Sequence, residues 1–149
     1  MPHRDEVADE LEPHAHIGYL IRRAQHLHVA TWARVVSAEV SSVQYSVLVF
    51  LDRLGEASQR ELCDEVGLDR STVADLMRRM QRNGLIERRR STHDARRNAV
   101  TLTDFGRAER LRLKPLVAEV QRELTLGLSS SDRAELERGL TKLIAAYHE

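Results

Sequence analysis

Apolar side chains recur at helical spacing along most of the chain. Between His16 and Ala38 they fall at Ile17, Leu20, Ile21, Ala24, Leu27 and Val35, with Thr31 completing the stripe, the three-and-four rhythm of one helix face. Neither Pro nor Gly interrupts the run after Gly18, so a long first helix is expected. Capping signals then punctuate the sequence: Ser41-x-x-Gln44 ahead of Tyr45, Val47, Leu48 and Leu51; Ser58-x-x-Glu61 ahead of Leu62, Cys63 and Val66; and Ser129-x-x-Asp132 ahead of Leu136, Leu140, Leu143 and Ile144. In each, a hydroxyl can accept from the backbone N–H three residues on while the acid or amide reaches back to the cap; Asp132 makes a shorter, weaker version. A further helix is expected between Gly67 and Gly84, capped by Asp69, with Val73, Leu76, Met77 and Met80 as its buried stripe and Gly84 as a left-handed stop.

After Gly84 the period shortens. Leu85 to Arg90 reads as extended and Ser91 to Arg97 as a polar turn. Asn98 to Thr103 alternates, Val100 and Leu102 facing inward and Thr101 and Thr103 outward, so the pair forms a β-hairpin. Thr103 then caps a long helix through Phe105, Ala108, Leu111, Leu116, Val117, Val120 and Leu124. The predicted fold is mainly α with a small β-hairpin wing: a winged helix-turn-helix occupying 41–103, flanked by helical segments at 14–40 and 104–149, with a poorly ordered tail at 1–13.

Charge changes this picture through its placement rather than its sum. The 149 residues carry 23 basic and 23 acidic side chains, yet between Arg78 and Arg97 eight Arg face only Glu87 and Asp94. With Val73, Leu76, Met77 and Met80 turned inward, helical geometry leaves Arg70, Ser71, Thr72, Asp75, Arg78, Arg79 and Arg82 on the opposite face. In a helix-turn-helix the second helix enters the DNA major groove with its N-terminal residues against base edges. Arg70, Ser71 and Thr72 are therefore the expected base readers, and Arg78, Arg79 and Arg82 the phosphate contacts. The hairpin loop brings Arg88, Arg89, Arg90, His93, Arg96 and Arg97, and a cationic wing of this kind can lie along a minor groove. Asp94 breaks that run and reads as a turn residue paired with Arg96. Taken singly each Arg fits a solvated surface; the set together points to double-stranded DNA. A winged-helix module that binds protein instead is the competing assignment, and the Arg-rich face and wing argue against it.

Composition narrows the rest. One cysteine, Cys63, allows no intrachain disulfide. No apolar run reaches the length of a membrane span, and the first residues lack the apolar stretch of a signal peptide, so a cytoplasmic protein is expected. There is no phosphate-cradling Gly loop, nucleophile elbow or metal-ligand spacing, so neither an enzyme nor a cofactor is expected.

These motifs resemble the multiple-antibiotic-resistance regulator (MarR) family. The matching pieces are Gln44-Tyr45-x-x-Leu48, Ser58-x-x-Glu61-Leu62, Gly67-Leu68-Asp69-x-Ser71-Thr72-Val73, Asn83-Gly84-Leu85-Ile86-x-Arg88, and Asp94-x-Arg96 running on to Leu102-Thr103-x-x-Gly106. The wing is the most specific of them. The resemblance implies a homodimer whose first, fifth and sixth helices form the interface, which makes 14–40 and 104–149 a dimerisation region and gives the stripe Leu136, Leu140, Leu143, Ile144, Tyr147 a partner. It also implies a repressor that binds a near-palindromic operator and is released by a small molecule.

The segment Ile17-Gly18-Tyr19-Leu20-Ile21-Arg22-Arg23-Ala24-Gln25 is similar to members that control aromatic-acid catabolism. That resemblance suggests an aromatic carboxylate or its CoA thioester as effector, for which Arg22, Arg23, His28 and Trp32 offer cations, an imidazole and a ring. The same residues also fit an ordinary core and surface. A metal-responsive or redox-responsive regulator of the same fold stays open as an alternative. His14-x-His16 and His26-x-His28, however, point about 200° apart on a helix, so no metal site is expected, and Cys63 sits where a small core residue belongs, which favours an inert cysteine over a redox switch.

Overall fold

The computed structural model describes residues 16–94 and 96–147. The tail expected at 1–13, and His14, lie outside them. The order of elements is α1 (Ile17–Val35), α2 (Ser42–Leu54), α3 (Gln59–Val66), α4 (Arg70–Arg82), β1 (Ile86–Arg90), β2 (Asn98–Leu102), α5 (Asp104–Leu124) and α6 (Ser130–Ala145), the predicted winged helix-turn-helix with its flanking helices.

Local chemistry explains the boundaries. α1 ends short of the expected Ala38. The N–H groups of Val36 and Ser37 both donate to the Trp32 carbonyl (2.8 and 3.2 Å), and the Ser37 hydroxyl accepts from the N–H groups of Glu39 and Val40 (3.0 Å each), a local bond that competes with helix continuation. Ser58 and Ser129 form complete capping boxes with Glu61 and Asp132, so the shorter Asp132 closes its box fully. At α2 only the forward half forms: Ser41 accepts from the Gln44 N–H, while the Gln44 side chain is buried instead of reaching back. Gly67 (φ 68°) and Gly84 (φ 76°) end α3 and α4 in the left-handed region, where a Cβ is strained.

The chain divides into two compact units, unit 2 running from Trp32 to Val117 and unit 1 comprising residues up to Thr31 together with those from Ala118 onward. Unit 2 has a closed apolar core, with Val47, Leu48, Leu51, Leu62, Val73, Met77, Met80, Ile86 and Leu113 almost wholly buried. The hairpin is antiparallel, with Ile86 opposite Leu102, Arg88 opposite Val100 and Arg90 opposite Asn98. Ala57 pairs with Val100 through two backbone hydrogen bonds (3.1 and 2.8 Å) and so ties the loop before α3 to the wing. Ala99 is buried along with Val100 and Leu102, so the alternation expected in β2 is imperfect. Asp52 of α2 pairs with Arg110 (3.1 Å) and Arg107 (3.8 Å) of α5.

Unit 1 is different. Among its described residues Val120 is the one buried apolar side chain, and α6 buries none. Ile17, Leu20, Ile21 and Leu27 of α1 stand exposed, as do Leu136, Leu140, Leu143, Ile144 and Tyr147. No described helix is long and apolar enough to cross a membrane.

Candidate nucleic-acid interface

The second helix of the helix-turn-helix is oriented by its own sequence. Val73, Leu76, Met77 and Met80 are buried, whereas Arg70, Ser71, Thr72, Asp75, Arg78, Arg79 and Arg82 are all exposed. Burying four apolar side chains, each worth about 1.5–3 kcal/mol, fixes which side of α4 faces outward, and every sequence-predicted residue of that helix lies there.

Its N-terminus is organised by Asp69. The carboxylate accepts from the Thr72 N–H (2.8 Å), the Ser71 hydroxyl (2.8 Å) and the Thr72 hydroxyl (2.9 Å). The Thr72 N–H first, with those two hydroxyls, holds the Asp69 pKa down to about 2. The hydroxyl protons of Ser71 and Thr72, two of the three expected base readers, are thus committed, leaving their oxygens as acceptors and the Thr72 methyl as an apolar contact. Further along, Arg78 is ion-paired with Asp75, so these two present themselves jointly.

Because the folded-state pKa of Asp69 is depressed, its cap contributes stability that is fully present above the ordinary carboxylate value of 3.8 and is lost as pH falls toward about 2. Asp69→Ala should therefore lower the melting temperature by a constant amount from pH 7 to pH 5, and the gap should narrow below pH 4. Thermal denaturation of both proteins across that range checks this, and a gap that widens with acidification contradicts it.

The wing is built from both ends. Asp94 accepts the Arg96 N–H at its Oδ1 (3.0 Å) and the Arg97 N–H at its carbonyl (3.0 Å), so it shapes the turn as expected, with Arg96 held through the backbone. The Ser91 N–H donates to the Arg97 carbonyl (2.8 Å), closing the base of the loop. Arg90, His93, Arg96 and Arg97 are exposed. Arg89 pairs with Glu87, and Arg88 donates to Gln59 Oε1 (3.2 Å), so these two serve the hairpin itself.

Sequence reasoning passed over Glu56. Its carboxylate accepts from the Ser91 hydroxyl (2.7 Å), the Thr92 hydroxyl (3.1 Å) and the Thr92 N–H (3.2 Å), and the Ser91 bond is the main cause of its lowered pKa. Gln59 was missed in the same way. Both act across about thirty residues of chain, and no local pattern signals such a contact.

The residues expected at an effector site are placed as follows. Arg22 and Arg23 are exposed on α1, Arg22 over the Tyr19 ring (5.5 Å), and His28 is half-buried. Trp32 is buried, its indole N–H donating to the Val40 carbonyl (2.7 Å) and its ring 5.8 Å from that of Tyr45. Two open depressions in unit 2, of about 360 and 470 Å³, are lined by Glu61, Asp64, Arg60 and Arg97, and by Glu39, Glu109 and Phe105. The first sets two carboxylates beside two guanidinium groups, and in the second Glu109 is already paired with Arg112 through both oxygens. Cys63 is half-buried, more open than the core position expected for it. Among the described residues no three His, Cys, Asp or Glu side chains cluster as metal ligands would.

Comparison with known proteins agrees with this architecture. Residues 39–97 match the model of the MarR family. The transcriptional regulator MgrA of Staphylococcus aureus is 33% identical over 106 residues, 71% of each chain. Among solved structures, the PcaV transcriptional regulator of Streptomyces coelicolor with its natural ligand superposes with a TM-score of 0.80 at 35% identity, covering 90% of this chain and 94% of that one. The transcriptional repressor CouR bound to a 23-mer DNA duplex superposes with a TM-score of 0.78 at 30% identity, covering 87% and 93%. CouR has also been solved bound to p-coumaroyl-CoA. Sequence identity over most of a chain, a shared fold and the helix-turn-helix with its wing converge, and the chain belongs to the MarR family of transcriptional regulators.

Proposed function

We propose that this protein is a homodimeric repressor that binds a near-palindromic operator in double-stranded DNA and lets go when an aromatic carboxylate or its CoA thioester binds. It acts in the cytoplasm, by binding rather than by catalysis. The observation that carries the DNA assignment is the exposed face of α4, where Arg70, Ser71, Thr72, Asp75, Arg78, Arg79 and Arg82 stand clear of the core. Arg70, Ser71 and Thr72 read base edges, and Arg78, Arg79 and Arg82 meet phosphates. Arg90, His93, Arg96 and Arg97 bring the wing against the adjoining groove.

The case for a dimer comes from unit 1, where one buried apolar side chain among the described residues is far too little core to hold helices in place. A second copy would cover Leu20, Ile21, Leu140, Leu143 and Ile144. Segment 41–103 is then the DNA-binding lobe, with 14–40 and 104–149 as the dimerisation region. The effector proposal draws on CouR, which has been solved with p-coumaroyl-CoA bound, and on α1. Arg22 and Arg23 offer cations for a carboxylate or thioester phosphates, and His28 an imidazole. Trp32 offers only its ring, because Val40 takes its N–H.

Enrichment of duplexes from a random-sequence pool tests the core of this assignment. The expected product is an inverted repeat with half-sites about one helical turn, roughly 34 Å, apart. A pool that stays random, or a single unrepeated half-site, contradicts it.

A further inference from the structure

Glu56 lies in the loop between α2 and α3, on neither the recognition helix nor the wing, yet it meets the wing at its base. Beside it, Ala57 holds Val100 of β2 through backbone hydrogen bonds. The Glu56 carboxylate accepts from the Ser91 hydroxyl, the Thr92 hydroxyl and the Thr92 N–H. Ser91 is itself saturated, its oxygen accepting from the N–H groups of His93 (3.1 Å) and Asp94 (3.3 Å). Its single proton therefore goes to Glu56. Asp94 in turn accepts the backbone N–H groups of Arg96 and Arg97. A continuous series of hydrogen bonds runs from Glu56 to the backbone that carries the two exposed wing arginines.

We propose that Glu56 is a positioning residue for duplex binding, an acceptor-only anchor that sets the path of the wing loop and hence where Arg96 and Arg97 meet DNA. This rests on the DNA-binding assignment above. The chemistry demands a carboxylate. Two donors, the Ser91 O–H and the Thr92 N–H, arrive at different oxygens of one side chain. Glutamine is isosteric but carries one oxygen and one NH2. Either way round, it sets its NH2 against one of those donors, so that one of the two bonds tying the loop to this side chain is lost.

The sign of the effect separates positioning from simple charge. Glu56 is an anion beside a cationic wing, with His93 Nε2 3.7 Å away. Neutralising it would tighten DNA binding if only Coulomb attraction counted, whereas loss of the anchor loosens it.

The test uses the full chain and a duplex enriched by the wild type from a random pool. Glu56→Gln is expected to bind that duplex about tenfold more weakly, with a melting temperature close to that of the wild type and faster hydrogen exchange at the amides of Thr92, His93 and Asp94. Ser91→Ala, which carries the test if the first variant folds poorly, should weaken binding in the same direction, and the two changes together should cost less than the product of their separate effects. In an Arg96→Ala background Glu56→Gln should lose most of its effect. Equal or tighter binding by Glu56→Gln, or full additivity with Arg96→Ala, overturns the proposal for Glu56 alone. A wild type that enriches no duplex overturns the DNA assignment itself, and this role with it.

Discussion

Arg96→Ala should nearly abolish duplex binding while the dimer stays intact. Arg96 is exposed at the wing, and its backbone is fixed by the Asp94 carboxylate, so on the proposed assignment the guanidinium would meet DNA from a prepared position. A charged hydrogen bond is worth about 1.5–3 kcal/mol. A homodimer presents two wings to one operator, so the loss doubles to about 3–6 kcal/mol, or about two to four orders of magnitude in affinity. Among the described residues none forms a hydrogen bond or ion pair with this side chain, so the sedimentation coefficient and melting temperature should stay at their wild-type values. Fluorescence anisotropy with the enriched duplex, alongside sedimentation, measures both. Unchanged affinity would remove the wing from the interface. A monomer would mean that Arg96 serves the fold instead.

The second large effect is on stability. Gly106, in the first turn of α5, lies against the α4–β1 connection, where a Cβ would stand 2.0 Å from the Leu85 carbonyl oxygen and 3.0 Å from its carbon. Both are backbone atoms, and Leu85 is itself held: its carbonyl accepts the Thr103 N–H (3.2 Å) and its N–H donates to the Met80 carbonyl (3.0 Å). Thr103 caps the same turn by accepting the Gly106 N–H (2.9 Å). With no flexible side chain to yield, Gly106→Ala must push α5 off the lobe or break the cap. The expected cost is about 3 kcal/mol, about 10 °C in melting temperature for a chain of this size. Thermal denaturation followed by circular dichroism measures it, and a variant that melts with the wild type would show that the close approach at Leu85 is not kept in solution.

Most of the candidate interface was legible in the sequence because helical geometry writes the exposed face of α4 there. Four apolar positions on α4 determine the opposite face, and Asp69, Gly67 and Gly84 mark the helix ends by chemistry that needs no tertiary information. The Asp94-x-Arg96 turn is local in the same way. What stayed hidden depends on contacts distant in sequence. Glu56 reads as a loop acid until the fold brings Ser91 and Thr92 to it, and Gln59 reads as helix surface until Arg88 arrives. Gln44 promised a capping box, but burial of its side chain competes with the reach back to Ser41. The end of α1 was missed because Ser37 offers its hydroxyl to Glu39 and Val40, and a serine after a helical stripe gives no sign of whether it will do so.

The proposed role of α4, a cationic face lying in a duplex groove, is tested most directly by the salt dependence of binding. For a dimer that neutralises six or more phosphates, affinity for the enriched duplex should fall about a thousandfold between 50 and 200 mM salt. Replacing Arg79 and Arg82 with Ala should flatten the logarithmic slope by about 0.9 for each phosphate contact removed. Binding that ignores salt over this range, or a double variant with the wild-type slope, would contradict it.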